Sequence, residues 1–201
     1  MNEYHIKLKD VLRGRISVFI DAANLEQSVR SMWVNPKDIP DNLKHFEPGK
    51  LKWTVDYRQL KMFFEKMGEL TAISYYSADF ESESHRNFMY MLKKAGYKLS
   101  TKQMKKYFDH APEHPHRKAN FDVEIAVDAI DKIEKYDTFI LFSGDCDFEY
   151  LLKVLRGKGK MTIVFSRSGH VAKELPPACH HYFDITDFRS EILSVKIRPR
   201  P

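Results

Sequence analysis

Cysteine is nearly absent: Cys146 and Cys179 are the only two in 201 residues. Two thiols build neither a disulfide framework nor a cysteine-rich zinc site, and both are read as reduced. Long apolar runs are missing too. No stretch approaches the ~18 consecutive apolar residues that a membrane span requires. Met1–Arg15 alternates charged and apolar residues where a signal peptide would carry an apolar core. These absences point to a cytoplasmic protein with no membrane role. No G-x-x-x-x-G-K-[ST], G-x-G-x-x-G or G-x-S-x-G occurs, which argues against NTPase, dinucleotide-binding and hydrolase-elbow chemistry. Acids are absent from Lys153 to Arg167, where Arg156, Lys158 and Lys160 also fall.

What is present is an ordinary balance of 43% hydrophobic and 30% charged residues, enough chain for one α/β domain with a sizeable core. The net charge of +5 is modest but uneven. Lys93–Lys118 holds eight Lys or Arg against two acids. Such clustering favours a polyanion, with a solvated lysine-rich face as the alternative.

Ile16–Ile20 reads as a strand buried on both faces that stops at Asp21. Ala22 to about Met32 suits a helix. Asn35–Gly49, with three prolines and a glycine, reads as a loop or insertion. Tyr57–Met67 has helical spacing behind Asp56 as N-cap. Leu70–Tyr76, Tyr97–Thr101, Thr138–Phe142, Met161–Phe165 and His181–Ile185 read as strands. Ser84–Ala95, Asn120–Tyr136 and Phe148–Arg156 read as helices, and Lys102–His116 as a basic loop. This alternation predicts an α/β fold, a mostly parallel sheet with helices on both faces. The expected organisation is an extension at 1–14, a domain at 15–190 with an insertion at about 34–55, and a disordered tail within 191–201, from Lys196 onward.

In open parallel sheets, ligands sit beyond the carboxyl ends of the strands. Three acidic groups are expected there: Asp21, with Asn24 three residues on; Asp145 and Asp147, in SGDCDF after a strand; and Asp122, at a helix start. At ~100° per residue, Asp122 falls within an apolar stripe of Val123, Ile125, Ala126, Ala129, Ile130 and Ile133. An acid on the core side is costly unless hydrogen-bonded, paired or metal-bound; capping the helix is the simpler alternative. Converging carboxylates repel and need a cation to remain ionised together. All-oxygen ligation suits Mg²⁺ or Mn²⁺, which polarise phosphoryl oxygens in phosphodiester hydrolysis.

The motifs that carry this chemistry resemble those of a known family. FIDAANL (Phe19–Leu25), KANFDVEIAVDAI (Lys118–Ile130) and YDTFILFSGDCDFEYLL (Tyr136–Leu152), followed by GKGKMTIVF, look like the ordered motifs of NYN domains, the LabA-like branch of PIN-like nucleases. The resemblance spans roughly residues 15–187. Alanines 22, 23 and 119 and Asn120 stand where the family often has glycine or a short polar residue; neither departure removes a ligand. The resemblance implies a Rossmann-like α/β/α sandwich, PIN-like, and a metal-dependent ribonuclease. Asp21, Asp122 and Asp145 would be the principal Mg²⁺ or Mn²⁺ carboxylates and Asp147 a further one. Asn24 would orient water or the scissile phosphate, and Ser143 would bond a carboxylate or phosphate. Asp128 matches a further acid of the helix motif, although its position on the helix favours a surface ion pair.

Lys102, Lys105, Lys106, Arg117 and Lys118, interleaved with Tyr107 and Phe108, suit single-stranded RNA, whose bases stack on aromatics while lysines follow the phosphates. His110, His114 and His116 with Glu113 are spaced too loosely to specify zinc and are read instead as a phosphate-contacting loop. The reading is therefore an endoribonuclease. A non-catalytic RNA-binding or regulatory module and a DNA nuclease or phosphatase on the same fold are the alternatives. A homodimer or a regulatory protein partner is left open.

Overall fold

The computed structural model describes residues 3–80, 82–103, 105–107, 116–118 and 120–198, with the backbone alone at 105–107 and 116–118. The chain runs through α1 (Glu3–Val11), β1 (Arg15–Asp21), α2 (Ala22–Arg30), β2 (Leu51–Val55), α3 (Tyr57–Met67) and β3 (Glu69–Asp79). It continues through α4 (Glu83–Lys94), β4 (Lys98–Gln103), β5 (Lys105–Tyr107), β6 (His116–Lys118), α5 (Asp122–Asp131) and β7 (Thr138–Phe142). It ends with α6 (Glu149–Gly157), β8 (Met161–Ser166), α7 (Leu175–Ala178), β9 (His181–Asp184), α8 (Arg189–Ile192) and β10 (Leu193–Ile197).

A six-stranded sheet is ordered β4-β3-β1-β7-β8-β9, and every pairing in it is parallel. The central strands are apolar on both faces because helices cover both. Ile16, Val18, Ile20, Ile140, Phe142, Ile163 and Phe165 join one core with residues of α2 and α3. Phe19, Phe139, Leu141 and Val164 point the other way, into a second core with α5 and α6. Phe165 stacks on Phe142 at 4.8 Å and on Phe183 at 5.4 Å. Phe165→Ala is expected to cost about 3–5 kcal/mol in denaturant unfolding; a cost below about 1 kcal/mol would mean that this layer is loosely packed.

From β1 the chain lays β3 and β4 to one side, then returns to place β7, β8 and β9 on the other. The order therefore reverses between β1 and β7, and the crevice beyond their carboxyl ends is where such sheets take ligands.

Three expectations need correction. The tail was expected to be disordered from Lys196, yet Lys196 and Ile197 belong to β10, which pairs antiparallel with β2 inside the expected insertion. The buried face of α5 is narrower than the stripe read from sequence: Ile125 and Ala129 are buried, whereas Val123 is 71% and Ile130 38% exposed. One layer of contact covers only about a third of a helix, so residues at the edges of a 200°-wide stripe remain in solvent. The helix also ends at Asp131, and Ile133–Lys135 forms a separate 3₁₀ turn. The loop carrying His110, Glu113 and His114, and Phe108 with it, lies outside the described residues.

Candidate metal centre

Asp21 ends β1 and caps α2: its carboxylate accepts the Asn24 N–H at 3.2 Å and the Ser143 hydroxyl at 3.3 Å. Ser143, buried just after β7, accepts the Asp145 N–H at 3.2 Å, and Asp145 accepts the Asp147 N–H at 3.1 Å. Asn24 crosses the same gap, its Oδ1 accepting the Gly144 N–H at 2.8 Å. A backbone donor requires an acceptor, which fixes the orientation of this amide. Asn24 is thus a clamp between α2 and the SGD loop, and its NH₂ group has no partner among the described residues. Asp122 opens α5, where Asn120 Oδ1 accepts its N–H at 2.9 Å.

Asp21, Asn24, Asn120, Asp122 and Asp145 line one open cavity of about 670 Å³. The carboxyl group of Asp21 is pushed up to about 6, by burial first and then by the charges of Asp122 and Asp145, against the hydrogen bonds from Asn24 and Ser143. Asp122 is also raised, by burial and by Asp145 and Asp147. Asp147 is exposed and stands outside the cavity lining, but it is near enough to Asp122 to help raise that carboxyl. Acids from three elements therefore feel one another across a single opening. Hard carboxylate oxygens in that arrangement fit a divalent cation, which would relieve the repulsion. Asp145, Cys146 and Asp147 also bring ligand atoms within 4.8 Å of one another. That tighter group reflects adjacency in sequence, and its soft thiol suits Mg²⁺ or Mn²⁺ poorly. The Cys146 thiol is itself pushed up, by desolvation and then by Asp145 and Asp147.

Other expected residues lie elsewhere. Asp128 is not in the cavity lining: it takes the hydroxyl of Tyr76, a wall residue, at 2.7 Å and pairs with Lys132 at 2.8 Å. Desolvation raises its carboxyl, but those partners prevail and hold it below the usual range. Lys102 donates to the Asn120 carbonyl at 2.9 Å and pairs with Glu124, so it straps the start of α5. Lys105, Lys106, Arg117 and Lys118 lie on the antiparallel β5–β6 ribbon, and their side chains are outside the described residues. Sequence reading missed Glu26, Gln27 and Arg30, which share the cavity wall with Ala23. The signal was available: positions 23, 26, 27 and 30 fall on one helix face.

Comparison with known proteins matches the NYN domain to residues 15–187. The chain belongs to the NYN domain family. NYN domains are nuclease-like and commonly use divalent metals. This NYN domain is 32% identical over 166 residues to the low amplitude and bright protein LabA of Synechococcus elongatus, covering 81% of this chain and 89% of that protein. It shares its fold with the crystal structure of a protein of unknown function from Vibrio parahaemolyticus, at a TM-score of 0.69 and 20% identity over 90% of this chain and 97% of that one.

The SGD loop of this NYN domain is fitted closely. A Cβ on Gly144 would meet the His170 carbonyl oxygen at 2.1 Å and Ser166 Oγ at 2.7 Å. The segment it would displace is pinned: the Ala172 N–H donates to the Gly144 carbonyl at 2.9 Å, and Arg167 donates to the Ser28 carbonyl at 3.0 Å. Gly144→Ala is expected to destabilise the protein by about 1–3 kcal/mol through overpacking, read as a lowered melting temperature. An unchanged melting temperature would show that the loop yields freely.

Proposed function

We propose that this NYN domain is a divalent-metal-dependent endoribonuclease acting on single-stranded RNA. The observation that carries the reading is the meeting of Asp21, Asp122 and Asp145 in one open cavity where the strand order reverses. A bound Mg²⁺ or Mn²⁺ would supply Lewis-acid polarisation of a phosphoryl oxygen and charge neutralisation there. The chain's own groups hold the geometry. Ser143 and the Asn24 N–H fix Asp21, Asn24 Oδ1 fixes the SGD loop, and the free NH₂ of Asn24 is a donor for a phosphate oxygen. Asp147 stands outside the other acids, where it can take a proton from incoming water. Phe80, 44% exposed at the cavity wall, offers a ring for a stacked base. The basic β5–β6 segment adds attraction for a polyanion. Cys146 and Cys179 are both free, in keeping with a reducing cytoplasmic setting, and no described helix is long and apolar enough to cross a membrane.

The test offers end-labelled single-stranded RNA, DNA of the same sequence and a small aryl phosphodiester, each with Mn²⁺, Mg²⁺ or EDTA. RNA should be cut internally with metal and left intact in EDTA, with DNA and the small ester much slower. Cutting that persists in EDTA, or preference for DNA or the small ester, would overturn the reading.

A further inference from the structure

We propose that Arg30, Lys52 and Lys196 form a phosphate subsite that carries the RNA strand out of the acidic cavity along α2. The proposal deepens the nuclease reading and rests on it. A second cavity of about 320 Å³ lies against the β2–β10 ribbon and shares Glu26 and Arg30 with the acidic one. From Asp21 to Arg30 the helix rises about 13 Å, a few nucleotides' length.

The ribbon's alternation defines the face concerned. Leu51, Trp53, Leu193 and Val195 are buried. Lys52, Thr54, Ser194 and Lys196 occupy the other face, where the Thr54 and Ser194 hydroxyls meet at 3.1 Å. Lys52 and Lys196 are paired directly across the two strands. Like charges directly opposite each other destabilise a ribbon. Nearby lysines of the same insertion have acidic partners: Lys44 pairs with Asp41 at 2.6 Å and Lys50 with Glu47 at 3.5 Å. Neither Lys52, Lys196 nor Arg30 has an ion pair or side-chain hydrogen bond among the described residues. The acid on the cavity wall is Glu26, and its carboxylate already accepts the hydroxyls of Tyr57 at 3.1 Å and Tyr75 at 3.0 Å. Three unpartnered cations around one hollow, next to a cavity suited to phosphodiester chemistry, fit the phosphates of a bound strand. The subsite also explains why the insertion and the last strand are paired: together they build the surface on which the strand lies.

Two variants test it, Arg30→Gln/Lys52→Gln/Lys196→Gln and Lys196→Gln alone, with a fluorescent 20-nucleotide single-stranded RNA. Binding is measured by anisotropy in EDTA across a salt series, and cleavage separately with Mn²⁺. For the triple variant, affinity at low salt should fall at least about tenfold and the log–log salt slope by about 2, at ~0.7 per phosphate contact on a single strand. KM should rise by a larger factor than kcat falls. Lys196→Gln should lower the slope by about a third as much, and in EDTA at low salt it should melt no lower than the wild type, because the like-charge pair is relieved. A wild type that cuts RNA beside a triple variant with unchanged affinity and slope would overturn the subsite and leave the nuclease reading intact. A lowered slope in a protein that never cuts would retain the subsite and remove the nuclease reading. A wild type that does not bind RNA overturns the subsite, as does a lower melting temperature for Lys196→Gln, which contradicts the unpartnered like-charge pair.

Discussion

Asp122→Asn is expected to lower metal-dependent RNA cleavage by at least about a hundredfold, beyond the 10–100-fold that losing a partner outside the ligand shell costs, while the melting temperature in EDTA holds or rises. The two halves have one cause. Asp122 is raised above its ordinary value by burial and by Asp145 and Asp147, so at neutral pH its charge opposes the metal-free fold. Asparagine keeps the shape and the α5 start, where Asn120 accepts the backbone N–H. An acid that served only the positive end of the α5 dipole would behave differently, with cleavage nearly intact and stability slightly lower. Parallel measurements of initial rate and thermal unfolding separate the two outcomes.

The second large effect concerns stability. Asp21 has its folded value raised from 3.8 to about 6. The associated stability is fully present below the unfolded value and is lost as pH rises through about 6. Without metal, the wild type should therefore lose about 3 kcal/mol between pH 3 and 7 from this group. Asp21→Asn should remove that segment of the pH profile and raise the metal-free melting temperature at pH 7.5 by roughly 6–12 °C for a chain of this size. Asparagine Oδ1 can still accept the Asn24 N–H, and its NH₂ group, standing in place of the second oxygen, can donate to Ser143 Oγ, so the local geometry survives. Mn²⁺ should raise the wild-type melting temperature and leave that of Asp21→Asn nearly unchanged. Equal pH profiles for the two proteins would mean that Asp21 is not strained by its surroundings.

The parallel sheet was legible because each central strand is a short apolar run bounded by polar residues, as burial on both faces demands. The meeting of Asp21, Asp122 and Asp145 followed from the rule for strand ends, since two of the three directly follow strands. The β2–β10 ribbon was not legible. LKWTV is a half-exposed edge segment with a lysine inside it, and its partner lies some 140 residues away. Pairing at that distance leaves no local periodic signal. The α5 wheel gave the direction of Asp122 correctly but not the depth of its neighbours: a wheel assigns angles, and only the packing of Phe121, Tyr136 and Phe148 sets how much of the stripe is covered. Lys102 looked like a phosphate contact because charge counting cannot see Glu124, which pairs with it.

The most direct test of the central claim, that these carboxylates hold a divalent cation, is a Mn²⁺ titration followed by electron paramagnetic resonance without nucleic acid, on the wild type and on Asp122→Asn. Saturable binding that Mg²⁺ displaces and that weakens at least about tenfold in the variant is the predicted result. No saturable binding, or equal binding by both proteins, would contradict it.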